Sequence, residues 1–331
     1  MLFYTSIRIK ISFMVKRNKL LLFGMVFLLF ASVLISSCSS DDNKGMTFPL
    51  SADISNSVDD RQVAFQGLTH SATSWLWDFG DGETSTEQNP VHVYASGGYY
   101  TAILTATDKS GETTEAQVQL AIALTPYVLL TGGPTNITGK TWKLSAAHSG
   151  HGDYLAWANA DLDPFDPGIT PLPDGAFGLF LGMGEVYDDT FTFHFDGSYE
   201  IDNKVGTAFS GVFYQFFTTA GAGIVNWGGL DFGLVTGLYS AEDNMTFTYV
   251  ASEDFINPSV FGGVSYPDSM TLDFSAPAAY LGFIDFQRKV IVQEISDSLM
   301  KVVMFASLDE GAAAAGGLST NALILTFEVA N

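Results

Sequence analysis

Aromatic, acidic and imidazole side chains are concentrated in one long segment between predicted strands, residues 146–183. His151, Asp153, Tyr154 and Trp157 lie close together in it. A flat ring can cover the C–H face of a sugar, and carboxylates or imidazoles can hydrogen-bond the surrounding hydroxyls. These residue types at this spacing therefore predict a carbohydrate-binding site that contains these four side chains.

A second segment of this kind, residues 218–236, is rich in glycine and holds Trp227 and Asp231. Long segments without regular secondary structure are usually functional or disordered, and aromatic residues at this density argue against disorder. We therefore expect Trp227 and Asp231 to contact the ligand as well. The alternative is that the tryptophans of both segments only pack over the ends of the strands.

Catalysis is the weaker interpretation of the acidic residues. A glycosidase needs two carboxylates that face each other across the bond to be cleaved. The nearest candidates are Glu185 with Asp188 or Asp189, but two adjacent residues of a strand point to opposite faces. The sequence contains no Gly-x-Ser-x-Gly, His-Glu-x-x-His or phosphate-loop pattern. We expect a protein that is not an enzyme, and a hydrolase or lyase with an unfamiliar site is the alternative.

No metal ion and no cofactor are predicted. Three aspartates between residues 161 and 166 are close enough for a calcium loop, but two prolines restrict the backbone there and the sharp-turn glycine is absent. His148 and His151 have no further nitrogen or sulfur ligands close in sequence, so zinc is not expected.

Cys38 is the only cysteine of the chain, so no intramolecular disulfide can form. It follows five basic residues, an apolar run at residues 20–35 and the pair Ser36-Ser37. This is the layout of a secretory signal. The pattern resembles the lipobox of bacterial lipoproteins, which implies cleavage before Cys38 and lipid attachment to its thiol. The alternative is an uncleaved helical anchor.

Residues 39–43, Ser-Ser-Asp-Asp-Asn, resemble the export signal that sends lipoproteins of Bacteroidetes to the outer face of the outer membrane. Any solvated tether would have a similar composition. We therefore predict a signal peptide at residues 1–37, a lipidated acidic tether at residues 38–46, and a protein anchored in the outer membrane by its lipid and facing the outside of the cell.

The charge of the chain limits its partners. Five of the 14 Lys and Arg residues lie in the first 37 residues, which hold no acid, so the remaining 294 residues carry nine basic and 36 acidic residues, a balance of −27. Such a surface repels nucleic acid and anionic headgroups. We expect no nucleic-acid partner, and membrane contact through the lipid anchor only.

Short alternating runs between residues 47 and 125 predict an antiparallel sandwich. The run 77–82, Trp-Asp-Phe-Gly-Asp-Gly, followed by 89–94, Asn-Pro-Val-His-Val-Tyr, resembles the PKD domain, an immunoglobulin-like module. The side chains of Asp78 and Asp81 are predicted to bond backbone N–H groups of the turn, and calcium binding is their alternative role.

Residues 126–331 are again rich in strand-like runs, with no long capped helix. The predicted fold is all-β: an N-terminal immunoglobulin-like PKD sandwich followed by a larger jelly-roll-like β-sandwich. The runs 139–144 and 187–193 resemble lipoproteins of Bacteroidetes that are encoded with polysaccharide-uptake systems. That resemblance implies a carbohydrate ligand for the second domain.

Residue chemistry and resemblance together predict a surface glycan-binding protein that captures a polysaccharide for an outer-membrane transporter complex. By analogy with the relatives, the expected glycan is a neutral β-glucan such as laminarin. An adhesive or structural subunit whose loops contact protein is a further alternative.

Overall fold

The computed structural model describes residues 48–160, 162, 169–274 and 278–330. The predicted signal peptide, Cys38, the tether and the three aspartates between residues 161 and 166 lie outside these residues. The predictions made for them are not tested by the structure.

The N-terminal part consists of two small antiparallel sheets, with strand orders β1-β2-β5 and β4-β3-β6-β7. The strands are β1 (Ser51–Asp59), β2 (Gln62–His70), β3 (Ala72–Asp78), β4 (Thr84–Ser85), β5 (Val91–Val93), β6 (Gly98–Asp108) and β7 (Thr113–Ile122). Alternate residues of these strands point inward, so one apolar face of each sheet contributes to a shared core.

Aromatic rings dominate the core of this sandwich. Trp77 and Phe79 follow each other on one face of the β3 strand and its extension and are almost fully buried. Phe65 of the opposite sheet lies 5.1 Å from the Trp77 ring and 5.3 Å from the Phe79 ring, measured between centroids. The polar edges of the core also have partners: Trp77 Nε1 donates to the Glu87 carbonyl at 3.0 Å, and the Tyr94 hydroxyl donates to the Phe79 carbonyl at 3.0 Å.

The second part is built mainly from strands. They are β8 (Lys140–Leu144), β9 (Tyr154–Trp157), β10 (Thr170–Pro171), β11 (Thr190–Phe193), β12 (Tyr199–Asp202), β13 (Thr207–Gly211), β14 (Ile224–Asn226), β15 (Leu234–Leu238), β16 (Phe247–Ser259), β17 (Gly262–Phe274), β18 (Val290–Ile295), β19 (Leu299–Ala306) and β20 (Asn321–Val329). The helices are short: α1 (Pro126–Thr131), α2 (His148–His151), α3 (Ala176–Leu181), α4 (Val212–Thr219) and α5 (Glu310–Ala314), with 3₁₀ turns at Gly184–Tyr187 and Leu230–Phe232.

One ten-stranded sheet organises these elements within the described residues. Its main path is β12-β11-β8-β20-β19-β18-β17-β16, and β9 pairs with both β20 and β10. A separate sheet, β13-β15-β14, carries α4 directly after β13. The neighbouring strands pair antiparallel throughout, as expected for short strands joined by hairpins.

Both faces of the large sheet are covered. Along β20, Leu323, Leu325 and Phe327 belong to the main core, whereas Ala322 and Ile324 belong to a second cluster on the opposite face. Because strand side chains alternate between faces, a strand buried on both faces is apolar at nearly every position. This explains the unbroken run Ala322 to Leu325.

The predicted fold class is confirmed: an N-terminal sandwich is followed by a larger β-structure of sandwich or half-barrel form. The prediction that residues 146–183 and 218–236 lack regular structure is wrong for part of each segment. The first contains α2, β9, β10 and α3, and the second contains β14 and a 3₁₀ turn. These elements are too short for a periodic sequence pattern, and β9 is held by pairing with β20.

Candidate functional site

A cleft of about 1060 Å³ lies in the second domain. Its lining comes from the β9–β10 pair, helices α3 and α4, the 3₁₀ turn Leu230–Phe232, the β16–β17 turn, and the residues around Leu308 and Asn321. Several of the deeper residues, such as Phe177 and Leu234, also belong to the main core, so the floor of the cleft is the outer surface of that core. Clefts of this size are typical of ligand sites.

Trp157 lies on the β9 side of this cleft. It is the last residue of β9, opposite Asn321 of β20, and 55% of its surface is exposed. Its ring meets Phe261, in the β16–β17 turn, at an interplanar angle of 79° and a centroid distance of 6.3 Å. This edge contact steadies the indole and leaves surface available to a ligand.

Trp227 lies beside the cleft. The residue is 44% exposed, and its ring centroid is 5.9 Å from that of Phe216, which lines the cleft. The preceding residue fixes this turn, because Asn226 Nδ2 donates to the Gly182 carbonyl at 2.7 Å and Asn226 Oδ1 accepts from the Gly228 N–H at 2.8 Å. Trp227 is thus held beside the cleft on a braced turn.

Asp231, in the 3₁₀ turn that follows Trp227, is exposed and lines the cleft. Three of the six predicted ligand residues, Trp157, Trp227 and Asp231, therefore gather at or beside one cleft. They come from segments some seventy residues apart, and the fold brings them together.

Asp153 and Tyr154 do not agree with the predicted role in ligand binding, because they are 1% and 2% exposed. The Asp153 carboxylate accepts hydrogen bonds from the Thr326 N–H at 3.0 Å and the Thr326 hydroxyl at 2.7 Å. The Tyr154 hydroxyl donates to the Leu162 carbonyl at 2.8 Å. Both side chains are held in the interior by their position on or beside β9, and neither lines the cleft.

His151 is half-buried at the end of α2 and does not line the cleft. Its carbonyl oxygen accepts a hydrogen bond from Lys301 Nζ at 2.8 Å. The structure therefore separates His151 from Trp157, although the two residues are six positions apart in the sequence.

His148, considered from the sequence only as a metal ligand, is the centre of a buried network. Its Nδ1 is hydrogen-bonded to Asp153 Oδ2 at 2.8 Å, and its Nε2 is hydrogen-bonded to the Tyr187 hydroxyl at 2.9 Å. That hydroxyl in turn accepts from the Phe177 N–H at 3.0 Å. Burial raises the pKa of Tyr187 to about 12, so its hydroxyl stays protonated. Because Phe177 lines the cleft, the network ties one cleft wall to strand β20.

Sequence reasoning missed several rings at the cleft. Phe180, Phe216 and Phe232 line it and are 69%, 44% and 60% exposed. The available signal was the clustering of phenylalanines in the short runs 177–181 and 213–217. A short helix packs only one side against the core, so some of several clustered rings must face solvent.

The polar groups of the cleft are few and partly occupied. The Thr320 hydroxyl accepts from the Leu308 N–H at 2.9 Å, and Asn321 Oδ1 accepts from the Thr320 hydroxyl at 2.8 Å. Asp309 Oδ1 caps α5 by accepting from the Ala312 N–H at 3.1 Å. Asp231 and Asp309 are the charged residues of the described lining, which contains no Lys, Arg or His.

Within the described ranges, no group of three or more His, Cys, Asp or Glu side chains is placed to hold a metal ion. Among the same residues, no helix has the length and apolar character needed to span a bilayer.

Comparison with known families identifies the first domain. Residues 49–122 match the family model of the PKD domain. The N-terminal sandwich is a PKD domain. Its Trp-Asp-Phe-Gly-Asp-Gly run lies at the end of β3 and in the turn that follows, as the sequence analysis predicted.

The curated relatives match over the PKD domain only. Collagenase ColA of Bacillus cereus is 47% identical over 53 residues, which are 16% of this chain and 6% of that protein. The pre-pro-metalloprotease PrtV of Vibrio cholerae is 43% identical over 49 residues, 15% of this chain and 5% of that protein. The chain thus covers about a twentieth of the length of these relatives.

Among solved structures, the PKD1 domain of the Vibrio cholerae metalloprotease PrtV is 31% identical, with 23% of this chain and all of that chain covered and a TM-score of 0.23. A structure described as a study of carbohydrate-binding modules from the β-sandwich superfamily is 11% identical, with 86% of this chain and 93% of that chain covered and a TM-score of 0.25. Similarity at this level does not identify a ligand.

In the PKD domain, the two turn aspartates bond their local backbone. Asp78 Oδ1 accepts from the Gly80 N–H at 2.8 Å, and Asp81 Oδ1 accepts from the Glu83 N–H at 3.1 Å. Asp81 Oδ2 also accepts from His92 Nε2 at 2.7 Å. Both carboxylates thus accept hydrogen bonds from backbone N–H groups of the turn, which agrees with the structural role predicted for them.

The two glycines of the PKD turn allow a matched test of backbone strain. Both have a positive φ, +80° at Gly80 and +92° at Gly82, but a Cβ at Gly80 would lie 2.6 Å from the Thr101 carbonyl oxygen, whereas one at Gly82 meets nothing within 4 Å. We expect Gly80→Ala to destabilise the PKD domain by about 2–3 kcal/mol and Gly82→Ala by about 1 kcal/mol. Hydrogen exchange of the β3 and β6 amides would measure both. Equal effects would show that the contact with Thr101 is relieved at no cost.

Proposed function

We propose that this chain is a non-catalytic binding protein of the bacterial surface that captures a neutral polysaccharide at the cleft of its second domain. The observation that carries the proposal is the exposure of Trp157 and Trp227 at and beside the cleft. An exposed indole can lie against the C–H face of a pyranose, and Asp231 can accept hydrogen bonds from sugar hydroxyls.

The acidic charge of the chain supports a neutral glycan. The described lining of the cleft carries two acids and no base, so an anionic polysaccharide would meet repulsion both at the site and from the whole molecule. A β-glucan such as laminarin meets this requirement. Weak individual sites are sufficient on a polymer, because neighbouring copies can engage one chain and gain affinity through effective concentration.

The cellular setting forms part of the proposal. Lipid attachment at Cys38, followed by the acidic tether, would hold the protein at the outer face of the outer membrane, with the PKD domain as a spacer. A transporter complex in the same membrane would receive the captured polysaccharide. Metabolic labelling with a fatty-acid probe tests the anchor, since Cys38→Ser should abolish incorporation; unchanged incorporation would contradict lipidation at this residue.

Affinity electrophoresis with neutral and acidic glycans tests the binding site. We expect retarded migration with a neutral glucan, and an affinity loss of about tenfold or more for Trp157→Ala and for Trp227→Ala, since a central aromatic contact is often worth 1–2 kcal/mol or more. Leu76→Ala is the control, because Leu76 is 50% exposed on the PKD domain and is not part of the cleft lining.

Three results would contradict the proposal. Unchanged mobility of both tryptophan variants would remove the site. Release of reducing ends during long incubation would indicate a hydrolase. Failure to bind every glycan, together with specific capture of one membrane protein, would favour an adhesive subunit.

A further inference from the structure

The inner part of the cleft differs from its rim. Leu181, Val212 and Leu234 line it and are at most 8% exposed, and Leu308 and Leu323 complete this surface. Sugar rings carry hydroxyls on every edge, and a hydroxyl that loses water without gaining a partner is costly. A bare sugar therefore fits the rim better than the interior.

The polar atoms near the interior offer little to a hydroxyl-rich ligand. Thr320 and Asn321 already bond each other and the neighbouring backbone, and one carboxylate oxygen of Asp309 caps a helix. What remains is an apolar surface that is partly accessible to water. Covering it with an apolar group is favourable in proportion to the area removed from water.

The charge of the lining indicates whether an apolar ligand group in the cleft would be charged or neutral. Two acids and no base are present among the described lining residues. A fatty-acid carboxylate would find no positive partner there and would be repelled by Asp231 and Asp309. An aliphatic chain that is joined to the sugar through an ester or ether has no carboxylate and is not repelled by these two acids.

We infer that the inner cleft binds a neutral aliphatic chain carried by the glycan, so that the ligand class is an acylated or alkylated sugar with its rings at Trp157 and Trp227 and its chain among Leu181, Leu234 and Leu308. This inference rests on the proposed function for the sugar part of the ligand. A volume of about 1060 Å³ lies at the upper end of the range for small-molecule sites and has room for both parts.

The test uses n-alkyl β-glucosides of increasing chain length, each kept below its critical micelle concentration, with binding measured by calorimetry. We expect affinity to rise about fourfold for each added methylene until the cleft is full. Glucose alone should bind far more weakly than the octyl glucoside. An affinity that does not change with chain length overturns the inference.

Two leucine variants test where the alkyl chain of the ligand binds. Leu308 lines the inner cleft and is half-buried, whereas Leu238 is 66% exposed and is not part of the lining. Leu308→Ala should weaken octyl glucoside binding about tenfold, and Leu238→Ala should leave it unchanged. Equal effects of the two variants would overturn the assignment to the cleft.

The outcomes separate this inference from the proposed function. Retained polysaccharide retardation with no dependence on alkyl chain length would refute the inference alone. A chain-length dependence without any polysaccharide retardation would refute the capture of a polymer and leave a site for small amphiphiles.

Discussion

Replacing Asp153 with alanine is expected to lower the free energy of unfolding by about 3–5 kcal/mol, because the substitution leaves several buried polar groups without a partner. The carboxylate accepts from the Thr326 N–H, the Thr326 hydroxyl and His148 Nδ1, and all three groups are buried. Domains are stable by only about 5–15 kcal/mol, so this single change should remove a large fraction of the stability of the second domain.

The Asp153→Ala substitution should also affect the cleft. Without the Asp153 carboxylate, His148 loses the partner that fixes its ring, and the Tyr187 hydroxyl that receives the Phe177 N–H is held less firmly. We therefore expect weaker glycan binding as a secondary effect of lost rigidity in α3.

Urea unfolding of the Asp153→Ala variant measures the primary effect. Asp174→Ala is a suitable control, because Asp174 accepts from the Ser149 N–H and hydroxyl in the same region but is exposed. Its effect should be much smaller. If Asp153→Ala kept full stability and lost glycan binding, Asp153 would be a ligand residue after all, as the sequence analysis predicted.

The second large effect concerns pH: we expect the protein to be more stable at pH 5 than at pH 8. Burial raises the pKa of Asp189 to about 7 and that of Asp285 to about 7, against 3.8 for an ordinary aspartate. Among the described residues, Asp189 Oδ1 and Asp285 Oδ2 have no hydrogen-bond partner, so the ionised forms are poorly compensated.

The sign of this pH dependence follows from the number of protons that the folded and unfolded states bind. Between about pH 4 and 7 the folded protein keeps protons on these two carboxyls that the unfolded chain has already released, so folding takes up protons and stability falls as the pH rises. Above about pH 7 both states are ionised at these groups and the dependence levels off. From pH 5 to 8 the expected loss is roughly 2–3 kcal/mol for each group.

Other carboxyls act outside this window. The Thr271 hydroxyl, with Lys289, lowers the pKa of Glu253, and the stabilisation that results is lost only on acidification through the folded-state value, below the ordinary range. Substitution at Asp189 and Asp285 therefore measures the share of the dependence between pH 5 and 8 that these two carboxyls cause.

Urea unfolding of Asp285→Asn at pH 5 and pH 8 tests the assignment. The amide is isosteric and keeps the oxygen that accepts from the Phe286 N–H, so the variant should lose about half of the pH dependence and be more stable than the parent at pH 8. The Asp189→Asn, Asp285→Asn double variant should lose the contributions of both carboxyls. A slope that both variants retain in full would contradict the burial argument.

The PKD domain illustrates how far a sequence can determine a structure. Its turn glycines, turn aspartates and alternating aromatic residues are local requirements of one strand and one tight turn, and they were predicted at the positions where the structure has them. Strands of the second domain could likewise be predicted, because β19 and β20 are largely apolar runs of the kind that a sheet covered on both faces requires.

The site was predictable only in part. Trp157, Trp227 and Asp231 were selected for their chemistry, but Asp153 and Tyr154 were selected by the same criterion and are buried. Composition alone cannot tell a strand residue that points into the core from its neighbour that points to solvent when the strand has only four residues. The rings of Phe180, Phe216 and Phe232 look like core residues in the sequence. They line the cleft because α3, α4 and the 3₁₀ turn Leu230–Phe232 are too short to bury every side.

The sequence by itself determined the order of the domains, the all-β class, the acidic charge, and the supply of rings and carboxylates, since each of these depends on composition or on contacts between near neighbours in the chain. Only the tertiary structure decided which rings are exposed, that Asp153 belongs to the His148 network, and that a single cleft joins β9 to α4. These features depend on contacts between residues up to about 170 positions apart, such as Asp153 with Thr326, and local sequence patterns carry no information on such pairs.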